Sequence, residues 1–347
     1  MAPSPASPGT SPARRVLVSG GSGFIGSHLV ERLLARGDEV TVVDDLSTGR
    51  RRNMPAPSGR LRFIEADLHD ALPALGKGEV FDEIYHLAAA VGVRLVVEDP
   101  IRTIQTNIDQ TLAILRFAQG RSPSGGGALT LIASSSEVYG KSEKTPFSEE
   151  DDVVYGPTTM TRWSYACTKA IDEYLALAFH QQKSVPTVIV RFFNTVGPRQ
   201  VGDYGMVLPR FVGAALAGTD LEVHGDGQQT RCFCDVRDVA EALPRLMDSR
   251  DCWGRVFNVG SDKPISMLDL ARRVIDVLGS RSRVALIPYT DAFPGGFEDL
   301  RQRRPDLARV RRAIGFEPRV PLEQTIRDIA SWMRDARSAG GVVEARG

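Results

Sequence analysis

Arg15-Val16-Leu17-Val18-Ser19-Gly20-Gly21-Ser22-Gly23-Phe24-Ile25-Gly26 is the stretch that decides the fold. An apolar run of strand length ends in glycines, and residues 24–35 then carry apolar side chains at helical spacing. Glycines at 20, 23 and 26 permit a tight turn, a close approach of the backbone to a pyrophosphate, and close packing of helix on strand. The helix that Phe24 and Ile25 open presents its N–H groups to the same phosphates. A second strand, Glu39–Asp44, closes on an acidic residue at the offset where a carboxylate takes the adenosine ribose hydroxyls and repels a 2′-phosphate. Asp45 adds to that repulsion, so NAD is the expected cofactor. Asp67 and Leu68, after a third strand at Leu61–Glu65, are placed beside the adenine. Ala88 and Ala89, in the Ala88-Ala89-Ala90 run after a fourth strand at 83–87, are small enough for a cofactor to lie against the backbone.

Further strands are expected at 129–134 and 187–191, with a helix over 100–119. Strands separated by helix-length segments imply α/β architecture, a doubly wound parallel sheet with helices on both faces. Beyond Gly197 the pattern loosens into short strands at 221–223 and 256–259 and helices near 266–279 and 322–337. The expected division is a disordered tail (1–13), a dinucleotide-binding domain (14–196, with segments near 230–260 contributing), and a smaller α/β substrate domain (mainly 197–345).

Charge is balanced at 43 basic and 43 acidic residues, which argues against nucleic acid or an anionic membrane as a partner. No apolar run reaches the ~18 residues a membrane span needs. Residues 1–14 lack the apolar stretch of a signal peptide. The four cysteines form no C-x-x-C pair; Cys232 and Cys234 are expected on one face of a single strand. All four read as reduced packing residues of a cytoplasmic protein, and the five histidines have no metal-ligand spacing, so no metal is expected. His86, at the end of a strand, reads as core.

The chemistry centres on Tyr165 and Lys169, in Trp163-Ser164-Tyr165-Ala166-Cys167-Thr168-Lys169. Four residues apart, they project from one helix face. Free tyrosine titrates near pH ~10, and a neighbouring ammonium favours its phenolate. Lys169 is therefore expected to pull Tyr165 toward the working pH; a shift of about 3 units corresponds to roughly 4 kcal/mol. Ser134-Ser135-Ser136-Glu137 follows a strand directly, at the carboxyl end where ligands of such sheets gather.

Serine, tyrosine and lysine over a dinucleotide loop resemble the short-chain dehydrogenase/reductase superfamily, and the length and second domain resemble its extended members, which modify nucleotide sugars. The resemblance covers about residues 15–337. It implies Tyr165 as base at the sugar 4-hydroxyl, Lys169 tuning it and binding the nicotinamide ribose, and Ser135 on the proton path. It also implies a 4-keto intermediate, from which the family branches into 4-epimerases, 4,6-dehydratases and decarboxylases. Ser136-Glu137-Val138-Tyr139-Gly140 matches the decarboxylase form, in which a carboxylate near the substrate's own would be relieved by loss of CO2 and would then help to protonate C5. Arg162-Trp163-Ser164-Tyr165 and the segment from Gly296 to Pro305 resemble the decarboxylase domain of a bacterial aminoarabinose-modification enzyme, although Thr161 stands where that enzyme has proline. Carried over, Arg303 meets the substrate carboxylate or phosphate and Phe297 the uridine, with Arg301 and Arg304 near enough to exchange roles. Asn194, in Phe193-Asn194-Thr195-Val196-Gly197-Pro198-Arg199, and Arg231 are implied at the diphosphate or ribose, and Arg94 at the sugar. The favoured activity is NAD-dependent decarboxylation of UDP-glucuronate. The alternatives are a UDP-glucose or UDP-glucuronate 4-epimerase, a 4,6-dehydratase, and a non-catalytic NAD-sensing module. As in the family, helices near 100–119 and 164–182 are expected to pair with a second copy as a homodimer.

Overall fold

The computed structural model describes residues 13–76, 78–89, 99–201, 206–292 and 301–338. The tail up to residue 12, Ala90, Arg94 and Phe297 lie outside these residues. β1 (Arg15–Ser19), β2 (Glu39–Asp44), β3 (Leu61–Glu65), β4 (Glu83–His86), β5 (Leu129–Ser135) and β6 (Thr187–Phe192) form one parallel sheet together with β11 (Arg255–Val259). Its order is β11-β6-β5-β4-β1-β2-β3, and every pairing in it is parallel. The chain reverses its direction of winding between β1 and β4, which opens a crevice at their carboxyl ends.

Both faces of the sheet are covered. One carries α1 (Phe24–Arg36) and α6 (Val236–Asp248), packed over Val16, Val18, Val40, Val42, Val188 and Val190. The other carries α2 (Leu68–Ala74), α3 (Pro100–Ala118) and α4 (Trp163–Lys183), packed over Leu17, Val43, Ile84, Ile132 and Ile189. Burial on both sides explains why these strands are continuous Val/Leu/Ile runs rather than alternating ones. α1 stops at Gly37, whose φ of 101° lets its N–H return to the Leu33 and Leu34 carbonyls.

The second lobe is built of α5 (Val207–Ala217), α7 (Met267–Leu278) and α10 (Leu322–Ser338) around Leu208, Phe211, Leu270, Ile326 and Ile329. A parallel pair of β8 (Leu221–His224) and β13 (Val284–Ile287) lies beside them, followed by the single turn α8 (Tyr289–Ala292). β9 (Thr230–Cys232) stands between β12 (Pro264–Ser266) and β14 (Gln302–Arg303), while β7 (Thr195–Val196) pairs with β10 (Cys234–Asp235). α9 (Ala308–Ile314) returns the chain to β11.

Two expectations are corrected. Cys232 and Cys234 end one strand and begin another, in different sheets, because Cys232 pairs with Pro264 and Cys234 with Thr195. Helices α2, α5, α6, α8 and α9 have no counterpart among the sequence expectations. α2 and α6 carry internal prolines (Pro73, Pro244) that disguise the helical pattern.

Candidate active site

The crevice is a cavity of about 1440 Å³ lined by both lobes. That exceeds an ordinary small-molecule pocket and suits two extended ligands. At its floor, Gly20 has φ of 73°, and a Cβ there would lie 2.6 Å from the Ala88 backbone nitrogen. A Cβ on Gly26 would lie 2.1 Å from the Gly20 carbonyl oxygen. Gly23 meets nothing closer than that oxygen, at 3.2 Å, and its open side is the cradle a pyrophosphate needs. The first turn of α1 holds neither a side-chain cap nor an acidic residue, so its N–H groups face the cavity uncompensated. Asp44 is buried and accepts hydrogen bonds from the N–H groups of Ser22 and Leu46, both at 2.9 Å. It thus fastens the glycine loop to β2 while lining the cavity. Asp45 is exposed but also lines the cavity, and it accepts from the Ser47 N–H and hydroxyl. Asp67 caps α2 through the His69 N–H at 2.8 Å, and Leu68, Ala88 and Ala89 line the same wall. The donor set fits NAD.

At the other end, α4 presents Tyr165 and Lys169 side by side. Lys169 is buried, and its Nζ bonds Asp172 Oδ2 at 3.1 Å. Burial lowers the Lys169 value, but Asp172 and Tyr165 raise it more, so the ammonium is held firmly. Ser135, whose oxygen accepts from the Glu137 N–H at 3.2 Å, is near enough to Tyr165 to favour its phenolate. Tyr165 itself corrects the sequence expectation: its value lies above the ordinary 10. Burial pushes it up, and Lys169 and Ser135 pull it down without prevailing, because Glu137 and Asp172 add negative charge nearby. His86, hydrogen-bonded to Ser19 at 2.7 Å, falls to about 3 through burial and the Lys169 charge, so it stays neutral.

Glu137 stands at the start of a 3₁₀ turn, Ser136–Tyr139, whose Ser136 is buried against the cavity. Its Oε1 lies 2.7 Å from Arg303 Nη1 and its Oε2 3.6 Å from Arg162 Nη2. Burial raises the Glu137 value, but Arg303, Arg162 and the more distant Arg231 together bring it below the usual carboxylate range. The repulsive carboxylate expected from the sequence is therefore neutralised by arginines. Arg303 is the buried member of its cluster, and Arg301 and Arg304 are exposed. It sits in register beside Arg231 across β14 and β9, so two guanidiniums enter the site from neighbouring strands. Asn194 lines the cavity and donates to the Cys232 carbonyl at 3.2 Å. Ser134, the first serine of the run, is tied to Glu173, which also takes a bidentate bond from Arg191.

Arg162 carries no role in the sequence reading. It precedes the first turn of α4, and its guanidinium lies 4.6 Å from the Trp163 ring centroid. Its place beside Trp163 in the decarboxylase-like segment was the available signal. Arg199, Arg210 and His224 also line the far end of the cavity, in segments where only Arg199 falls within a quoted motif. Among the described residues, no three His, Cys, Asp or Glu side chains are grouped to hold a metal ion, and no helix is long and apolar enough to cross a membrane.

A glycine loop at the switch point of a parallel sheet, with a buried Tyr–Lys pair at the strand ends, defines a dinucleotide-dependent α/β enzyme. Residues 16–260 match the model of the NAD dependent epimerase/dehydratase family. The chain belongs to that family, and its cofactor is NAD. It is 39% identical to the UDP-N-acetyl-alpha-D-glucosaminuronate decarboxylase of Bacillus cytotoxicus over 93% of this chain and 98% of that one. It is 36% identical to UDP-glucuronic acid decarboxylase 1 of Xenopus tropicalis over 92% of this chain and 72% of the other. Among solved structures, it resembles the UDP-N-acetylglucosamine 4-epimerase from Methanobrevibacter ruminantium in complex with UDP-N-acetylmuramic acid. That match has a TM-score of 0.82 and 31% identity over 93% of this chain and 99% of that one.

Proposed function

We propose that this enzyme decarboxylates a UDP-uronate, in the first instance UDP-glucuronate, through transient oxidation at C4. The observation that carries this reading is the cluster of Arg162 and Arg303 on the carboxylate of Glu137, with Arg231 farther off, beside the Tyr165 base. Guanidiniums gathered beside Glu137 can turn to an anionic sugar, and their planar forks suit a carboxylate or phosphate. A neutral hexose brings a diphosphate to Arg231 but no charge to Arg162 and Arg303. The decarboxylase relatives support the same choice.

In this reading Tyr165 takes the proton of the 4-hydroxyl, and Lys169 and Ser135 stabilise the phenolate that does so. Bound NAD supplies the hydride acceptor at C4, a cationic ring that brings the phenol down further, and the hydride that is returned at the end. A 4-ketone turns the uronate into a β-keto acid. Its C5–C6 bond then breaks, CO2 leaves, and the electron pair moves through C5 onto the C4 oxygen. Tyr165, protonated by the first step, and Ser135 donate to that oxygen as its charge grows. Arg303 faces the substrate carboxylate, with Asn194 and Arg231 toward the diphosphate. Glu137 is ionised in this arrangement, so its first task is to anchor the arginines. Protonation of C5 through it requires the arginines to turn to the substrate.

The Bacillus cytotoxicus relative, matched over nearly the whole of both chains, favours a second reading in which the uronate carries a 2-acetamido group. A homodimer belongs to the proposal as well. Ile101 and Ile104 on α3 and Ile171 and Tyr174 on α4 are exposed by 71, 38, 41 and 69%, an apolar face that a second copy would cover. Purified enzyme with NAD is incubated separately with UDP-glucuronate, its 2-acetamido analogue and UDP-glucose, and the products are weighed by mass spectrometry. Loss of one CO2 from a uronate is the expected result; an unchanged mass with a new retention time would replace decarboxylation by epimerisation.

A further inference from the structure

The short ion pair between Glu137 and Arg303 joins two segments that share no helix or strand. What holds them in register lies behind the site. Tyr139 closes the 3₁₀ turn that begins at Ser136, and its hydroxyl donates to Asn258 Oδ1 at 2.7 Å. Asn258 Nδ2 donates to the Phe147 carbonyl at 2.9 Å and to the Asp306 carbonyl at 3.3 Å. The Phe147 backbone in turn grips the Arg303 segment: its N–H donates to Arg304 at 2.8 Å, and its carbonyl accepts from Asp306 at 2.7 Å. The Phe147 ring stacks on Tyr139, with centroids 4.6 Å apart and planes 4° from parallel. Asn258, Tyr139 and Phe147 are each wholly buried. The Asn258 backbone N–H donates to Glu149 Oε1 at 2.9 Å, which fastens β11 to the stretch just after Phe147. One side chain therefore bonds the turn that carries Glu137, the strap at 147, and the segment that carries Arg303.

We propose that Asn258 is a positioning residue that sets Glu137 against Arg303 and thereby governs loss of CO2 rather than oxidation at C4. Its three side-chain bonds go to the Glu137 turn, to the Arg303 segment and to the strap at 147 that grips that segment, while Tyr165 and Lys169 are placed by α4. The inference rests on the proposed decarboxylation, and the two are tested separately. Holoenzyme is mixed with UDP-glucuronate and quenched at intervals, and mass spectrometry follows the 4-keto uronate and the decarboxylated sugar as separate species. Wild type must first form the decarboxylated sugar; if it does not, the proposed function fails and this inference falls with it. In Asn258→Ala, decarboxylation is expected to slow about tenfold or more, as for ångström-scale misplacement of a reacting group, while the 4-keto species forms at close to the wild-type rate and accumulates. Tyr139→Phe keeps the ring stack and removes one of the three bonds, so it serves should the alanine variant not fold; it is expected to shift the ratio of the two species in the same direction. A merely structural role would slow both steps together. Parallel loss of both, or an unchanged ratio in the folded variants, overturns the inference.

Discussion

Tyr165 shows how far one residue's chemistry depends on its surroundings. Its helix spacing from Lys169 was legible in the sequence, and so was the sign of the lysine's influence. The sum was not, because burial and the carboxylates of Glu137 and Asp172 outweigh Lys169 and Ser135. Replacing Tyr165 with Phe is expected to lower turnover by about two to four orders of magnitude, as loss of a general base does, while NAD content is retained. Cofactor content and kcat measured on one preparation check this. Because the phenolate is the base, kcat/KM of the wild type is expected to climb with pH up to the value Tyr165 has with NAD bound, where the cationic ring offsets part of the rise that burial causes. Arg162 governs the opposite limb. It helps to hold the Glu137 carboxyl below its ordinary value, so in Arg162→Ala that carboxyl rises under the burial that remains. Glu137 then takes up its proton at a higher pH, and the acid limb of the rate of CO2 release should move upward. An unmoved limb in pH–rate profiles would separate Arg162 from Glu137.

At the scale of elements, legibility followed local pattern. β1, β2 and β3 were expected at their observed bounds because apolar runs buried on both faces and stopped by turn residues carry their own punctuation. β9 and β10 read as one strand in the sequence because strands of three and two residues are defined by their partners, not by their own periodicity. The same dependence hid the pairing of Arg231 with Arg303, which exists only once β14 lies against β9. The glycine loop is the element least tolerant of change. In Gly26→Ala the new methyl would meet backbone, not a flexible side chain, so α1 must move off β1 and the pyrophosphate cradle opens. The expected outcome is a purified protein depleted of NAD with a lowered Tm that added NAD restores only in part. Thermal unfolding with and without cofactor measures it.

At the scale of the molecule, the site belongs to neither lobe. Ser135, Glu137, Tyr165 and Lys169 come from the large sheet and α4, whereas Arg231 and Arg303 come from the strands of the second lobe. Asn258 stands behind that junction, on an edge strand that the second half of the chain returns to the large sheet. The exposed face of α3 and α4 belongs to this scale too. A charge on it, Tyr174→Arg, is expected to convert a dimer to monomers while leaving the fold intact, since Tyr174 is 69% exposed, with light scattering on the eluting protein as the measurement. A wild type that elutes as a monomer would remove the dimer from the proposal.

The sequence alone determined the parallel sheet, the dinucleotide loop and the Tyr165–Lys169 pair, because each rests on spacing within one strand, turn or helix. Tertiary structure decided the rest. Which of the arginines near 303 turns inward, that Glu137 is neutralised by Arg303 and Arg162, that Tyr165 ends above its ordinary value, and that Asn258 holds the two halves in register all depend on distances between remote segments. Tyr139 and Asn258 are 119 positions apart, yet their polar atoms meet at 2.7 Å. Coulomb energies and desolvation are set by such distances and by what excludes water around them, and neither is written in local pattern.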